Sequence, residues 1–107
     1  MTLVAEKSER IDAGTPALSP EEAQNLAKEI PQWTLRDKAI ERTFEFKGFP
    51  EAISFVNQVA EIAQTEDHHP DICISYNKVR LELSTHRIGG LSRNDFIVAA
   101  KVDKVVS

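Results

Sequence analysis

Apolar residues recur at helical spacing from Leu18 to Ile30, where Ala23, Leu26, Ala27 and Ile30 share one stripe, which predicts an amphipathic helix. Ser19 stands ahead of it as a cap, Pro20 suits its first turn and Glu22 completes a capping box; Pro31 stops it. From Gln32 to Phe46 the period shortens. Trp33 and Leu35 alternate with polar neighbours, and after a turn at Arg36-Asp37-Lys38 a second strand carries Ile40, Thr43, Phe44 and Phe46 with imperfect alternation. The period returns to helical in residues 48–64, where Ala52, Ile53, Val56, Val59, Ala60 and Ala63 make a wide apolar face. A second hairpin follows. Ile72, Ile74 and Tyr76 alternate with Asp71, Cys73 and Ser75, and Val79, Leu81, Leu83 and Thr85 alternate with Arg80, Glu82, Ser84 and His86, with Asn77-Lys78 as the turn. After Gly89-Gly90, Ser92 and Asp95 form a second capping box ahead of a stripe of Val98, Ala99, Val102, Val105 and Val106. The order α-β-β-α-β-β-α predicts an α+β domain: a four-stranded antiparallel sheet with three helices packed on one face and the other face polar. Residues 1–17 show no sustained periodicity and are broken by Gly14 and Pro16, so they read as a flexible N-terminal segment, leaving 18–107 as the domain.

Composition narrows the function. A chain of 107 residues is one domain with a modest core, which association would help to stabilise. Its formal charge of −4, with no cluster of Lys and Arg, weighs against direct nucleic-acid binding. The single cysteine, Cys73, excludes an internal disulfide and fits a reducing cytoplasm. No apolar run approaches the roughly 20 residues of a membrane span, and the first residues lack a signal-peptide core.

The chemistry concentrates in "EDHHPDICISYNKVRLELSTH", which holds all three histidines of the chain, His68, His69 and His86. With Asn77 and Lys78 central, Ile74 faces Leu81, Ile72 faces Leu83, and His69 falls opposite His86 at the open end of the hairpin. The polar face near these two histidines is then the expected pocket lining. Three readings fit converging imidazoles: structural histidines at a strand end, a three-His metal site, or acid–base chemistry on an organic substrate. Neighbouring strand residues diverge, which disfavours a common metal ion. Cys73 shares the polar face but comes with no oxyanion-hole motif and reads as a packing residue. Glu61, Glu66 and Asp67 read as a solvated helix end, and Gly89-Gly90 as the shaper of the turn before the last helix.

At His68-His69-Pro70, Tyr76, His86 and Asp95 the sequence resembles the pterin-4a-carbinolamine dehydratases, from about residue 18 to the end. The resemblance implies dehydration of a 4a-hydroxytetrahydropterin to quinonoid dihydropterin, in recycling of tetrahydropterin. It implies His68 and His86 as the acid–base pair, His69 as a pterin-holding residue, and substrate binding by Pro70, Ser84, Thr85 and Asp95. It also implies no metal or bound cofactor, and a homo-oligomer, a tetramer as in the family. One position departs from the family pattern: Gln64 stands where an acidic residue is usual, with Glu61 or Glu66 as possible substitutes. Members of the family also act without catalysis, as a coactivator or an assembly factor, so a binding module on the same scaffold is the alternative.

Overall fold

The computed structural model describes residues 3–107. Three helices, α1 (Pro20–Ala27), α2 (Phe49–Glu66) and α3 (Arg93–Val106), accompany four strands: β1 (Thr34–Leu35), β2 (Ile40–Glu45), β3 (Asp71–Ser75) and β4 (Lys78–Leu83). Short 3-10 turns occupy Leu3–Ala5 and His86–Ile88. The strands form one antiparallel sheet in the order β1-β2-β4-β3. This is the α+β arrangement expected from the pattern.

The capping signals act as read. Ser19 and Glu22 bond reciprocally at the start of α1, at 2.9 and 3.1 Å, and Asp95 Oδ2 accepts the Ser92 backbone N–H at 2.9 Å at the start of α3. The central strands bury Ile40, Phe44, Val79, Leu81 and Leu83 against Phe55 and Val59 of α2 and Phe96, Val98 and Val102 of α3. Truncating any of these large side chains to alanine costs about 2–5 kcal/mol.

The imperfect alternation of β2 has a physical cause. Arg42 pairs with Leu81 and so occupies a helix-side position between Ile40 and Phe44, while Thr43 is exposed. Its guanidinium lies 4.3 Å from the Phe44 ring centroid and bonds Asp103 of α3 at 2.7 Å, an oxygen that also accepts from Trp33 Nε1 at 2.8 Å. The aliphatic stem covers the core while the charge is paired at its rim.

The second hairpin corrects the expected register. Ser75 pairs with Lys78 and Ile74 with Val79, not with Leu81, so the turn is Tyr76-Asn77 rather than Asn77-Lys78. The positive φ falls on Tyr76, at 53°, although asparagine is the better residue for it. Asn77 is otherwise engaged: its carbonyl accepts the Phe46 N–H at 2.8 Å and its side chain donates to Phe46 O at 2.9 Å. The Tyr76 ring stacks on Phe49, with centroids 6.5 Å apart. Strand β3 is one edge of the sheet, and every one of its residues is exposed, including Ile72 and Ile74 on the helix-side face.

Residues 3–9, part of the segment expected to be loose, are fastened to the domain, although Ala5, Lys7 and Glu9 stay exposed. Leu3 is 1% exposed and belongs to the core. After the turn at Leu3–Ala5 the segment is a strap fastened by hydrogen bonds at Glu6, Ser8 and Glu9 rather than by a periodic apolar face. Residues 1–2 of the expected flexible segment lie outside the described residues. At Gly90 a Cβ would stand 2.8 Å from the Ala17 Cβ, and Gly89 has a φ of 65°, so both glycines of the pair are needed to turn the chain into α3.

Candidate active site

The site forms where four chain segments meet: the end of α2, the end of β4, the start of α3 and the N-terminal strap. Helix α2 stops at Asp67, which takes the left-handed conformation (φ 51°, ψ 43°). Aspartate tolerates this better than most residues. The reversal lets the His68 N–H bond Ala63 O at 3.1 Å and swings its side chain over the start of α3. There His68 Nε2 stands 2.5 Å from Asp95 Oδ1.

Asp95 is fully buried, and a buried carboxylate needs partners. Its second oxygen, Oδ2, accepts the Thr85 hydroxyl at 2.8 Å and the Ser92 N–H at 2.9 Å. Thr85 Oγ1 and Ser92 Oγ lie 2.7 Å apart, closing a small network. With donors on Oδ2 and an acceptor facing His68, the imidazole carries its hydrogen on Nε2. In the neutral ring Nδ1 then keeps a lone pair. Asp95 therefore sits beneath the cleft and touches His68, with no surface left for a ligand. The structure places it behind the site, where the resemblance put it among substrate-binding residues.

His69 turns the other way, its Nε2 2.6 Å from Gln64 Oε1. The two adjacent rings diverge, as neighbouring residues do. Among the described residues no group of three or more His, Cys, Asp or Glu converges on a common point suited to a metal ion. His86 opens the 3-10 turn after β4 and is exposed.

All three histidines, with Ser84 and Thr85, line one cleft of about 420 Å³, within the range of small-molecule pockets. Pro70 does not line it; it sits at the entry to β3. The convergence expected of the histidines holds, but its geometry differs. In the observed register His69 does not oppose His86, and the cleft opens at the strand end between two helix termini. It does not lie along the polar face of the hairpin, where Arg80 and Glu82 instead join Glu41 of β2 and Arg36 in a chain of ion pairs across the sheet.

Sequence reading missed one wall of the cleft. Ser8 to Ile11 line it. Ser8 N–H bonds Glu66 Oε1 at 2.8 Å, and its hydroxyl donates to Glu66 O. Asn94 clamps Glu9 from both sides, accepting its N–H at 3.0 Å and donating to its carbonyl at 2.6 Å. Arg93 holds Glu6 through two nitrogens, at 2.7 and 2.6 Å, and keeps that carboxyl below its usual range. Glu66, expected to be solvated, is buried and bonds Lys101 at 2.6 Å. Burial alone would raise its pKa, but the bonds from Lys101 and Ser8 outweigh this and leave it below the ordinary value. Both its oxygens are occupied, so it does not replace the acid missing at position 64.

A family model described as pterin 4 alpha carbinolamine dehydratase matches residues 16–105. A relative from Nitrosomonas eutropha, provisionally named a pterin-4-alpha-carbinolamine dehydratase, is 50% identical over 97% of this chain and 93% of its own. One from Methylococcus capsulatus with the same name is 44% identical over 99% of this chain and 95% of its own. A crystal structure described as a transcriptional coactivator/pterin dehydratase from Brucella melitensis superposes with a TM-score of 0.81. It is 31% identical and covers 85% of this chain and 99% of that one.

Proposed function

The chain belongs to the pterin 4 alpha carbinolamine dehydratase family, and we propose that it removes water from a 4a-hydroxytetrahydropterin by histidine acid–base catalysis. The observation that carries this reading is the His68–Asp95 pair at the wall of a cleft that two further histidines share. The reaction breaks the C4a–O bond. The hydroxyl leaves as water with a proton from an acid, N5 gives its proton to a base, and the C4a–N5 double bond of the quinonoid dihydropterin forms. His68 suits the base. Its Nδ1 faces away from Asp95, and the carboxylate steadies the imidazolium that forms when N5 is deprotonated. His86, exposed on the same cleft, is the acid, and His69, tethered to Gln64, holds the pterin. Ser84 binds at the strand end, where Thr85, its hydroxyl committed to Asp95 and Ser92, holds Asp95 in place; Pro70 stiffens the junction behind His69. The product is the form whose reduction regenerates tetrahydropterin, so the activity belongs to pterin recycling. No further cofactor is required, because only protons and water move.

The cytoplasm is the compartment in which we place this activity; the free, exposed Cys73 supports it. No described helix is long and apolar enough to cross a membrane. The uncovered flank of Ile72 and Ile74 on the edge strand supports assembly into a homo-oligomer, a tetramer as the family resemblance implies. The description of the Brucella melitensis structure as a coactivator as well as a dehydratase keeps a binding role on the same scaffold as the second reading.

Stopped-flow measurement of 4a-hydroxytetrahydropterin decay tests the proposal. The native chain should accelerate it, and His86→Ala should lose about 10²-fold or more with its fold intact. A native chain that leaves the decay unchanged would end the enzymatic reading in favour of the binding one. Full activity in His86→Ala would remove that residue from the chemistry.

A further inference from the structure

The strap from Ser8 to Ile11 borders the cleft, yet the chemistry above uses none of it. Its attachment is specific: Glu9 is gripped at both backbone groups by Asn94, and Ser8 is fastened to Glu66. These bonds fix the backbone of Glu9 on the cleft wall and leave its carboxylate without a hydrogen bond or ion pair to any described residue. The other carboxylates nearby are committed or misplaced. Glu66 is held by Ser8 and Lys101, and Asp95 is buried under His68. Asp67 lines the cleft but precedes His68 directly in the chain.

Resting on the pterin reading, the substrate's shape makes this position matter. The 2-amino-4-oxopyrimidine ring of a pterin presents two parallel N–H donors, from the 2-amino group and N3. Two parallel donors are met best by the two oxygens of one carboxylate. That edge lies across the fused ring system from C4a and N5. The group that reads it must stand away from the histidine that takes the N5 proton, and Asp67 is joined to that histidine by a single peptide bond. Position 64 is an amide already bonded to His69 and supplies no carboxylate either.

We propose that the N-terminal strap is the substrate-orienting wall of the cleft and that Glu9 receives the amino edge of the pterin. The test uses the full chain and the variants Glu9→Gln, Glu9→Ala and Asp67→Asn. Dehydration kinetics are paired with equilibrium binding of a stable 7,8-dihydropterin and of its 2-oxo analogue, which turns an oxygen toward the carboxylate. Glu9→Ala should raise KM about tenfold with kcat within about twofold, the loss of one charge-assisted pair. The native chain should prefer the 2-amino ligand by a similar factor, and Glu9→Ala should lose that preference. Melting temperatures should not move, because Asn94 grips only the backbone of residue 9. An unchanged KM and preference in Glu9→Ala, with the native chain active, overturns this inference alone. So does the loss appearing in Asp67→Asn instead. A native chain that dehydrates nothing and binds neither ligand overturns the pterin reading beneath it.

Discussion

Asp95→Asn isolates what the buried carboxylate does for His68. The substitution keeps the volume of a fully buried side chain, so no cavity opens. It does change the hydrogen-bond signs. In the native site three donors converge on two oxygens: Ser92 N–H at 2.9 Å, Thr85 Oγ1 at 2.8 Å and His68 Nε2 at 2.5 Å. An asparagine has one oxygen. The Ser92 N–H is backbone and cannot turn, so the oxygen goes to Ser92 and Thr85 and the amide NH₂ faces His68. Two donors cannot share that contact, so the imidazole must move its hydrogen to Nδ1, and the lone pair assigned to N5 deprotonation disappears. The charge-assisted bond becomes a neutral one, a loss of about 1–3 kcal/mol of stability. For a domain near this size each kcal/mol lowers Tm by about 4–8 °C. The rate should fall further than stability alone explains, by about 10²-fold or more at a temperature where the variant is folded. Stopped-flow dehydration gives the rate, and ¹⁵N shifts of labelled His68 give the tautomer. A variant that folds, shows the reversed tautomer and keeps its rate within about threefold would refute the role given to His68.

Gln64→Glu should speed dehydration and move the pH optimum upward, because a carboxylate in place of the amide oxygen 2.6 Å from His69 Nε2 favours the imidazolium; an unmoved profile would separate His69 from the pH dependence. Glu66 sets an acid limit. Its folded pKa lies below the ordinary value, so its contribution is complete above the unfolded value of about 4.3 and is lost as pH falls through the lower folded one. Melting curves of the native chain should therefore drop toward acid more steeply than those of Glu66→Gln, and parallel curves from neutral to acid pH would contradict the assignment. Light scattering at micromolar concentration should find an oligomer, and Ile72→Lys with Ile74→Lys should reduce its mass; a native monomer would remove the assembly expected at the β3 edge.

Periodicity alone determined the element order. The helix stripes, the two reciprocal caps at Ser19 and Ser92 and the alternation of β4 are local features, each decided within a few residues by backbone geometry and solvent preference. The same locality explains the errors. Alternation has a period of two, so it fixes which face a residue takes but is blind to a two-residue change of partner. The hairpin turned at Tyr76-Asn77 because β2 claimed Asn77. Arg42 disturbed the reading of β2 because its charge is paired by Asp103, sixty-one positions away in sequence. The histidine cluster was legible because its members are close in the chain and unusual in type. Asp95 was legible as a cap, but its contact with His68 depends on the left-handed bend at Asp67 bringing two helix ends together. The strap was not legible at all. Along the cleft it is held largely by backbone groups of Ser8 and Glu9 meeting side chains of Glu66 and Asn94, and backbone donors and acceptors are the same at every non-proline residue. Only the folded chain decides which of them are used.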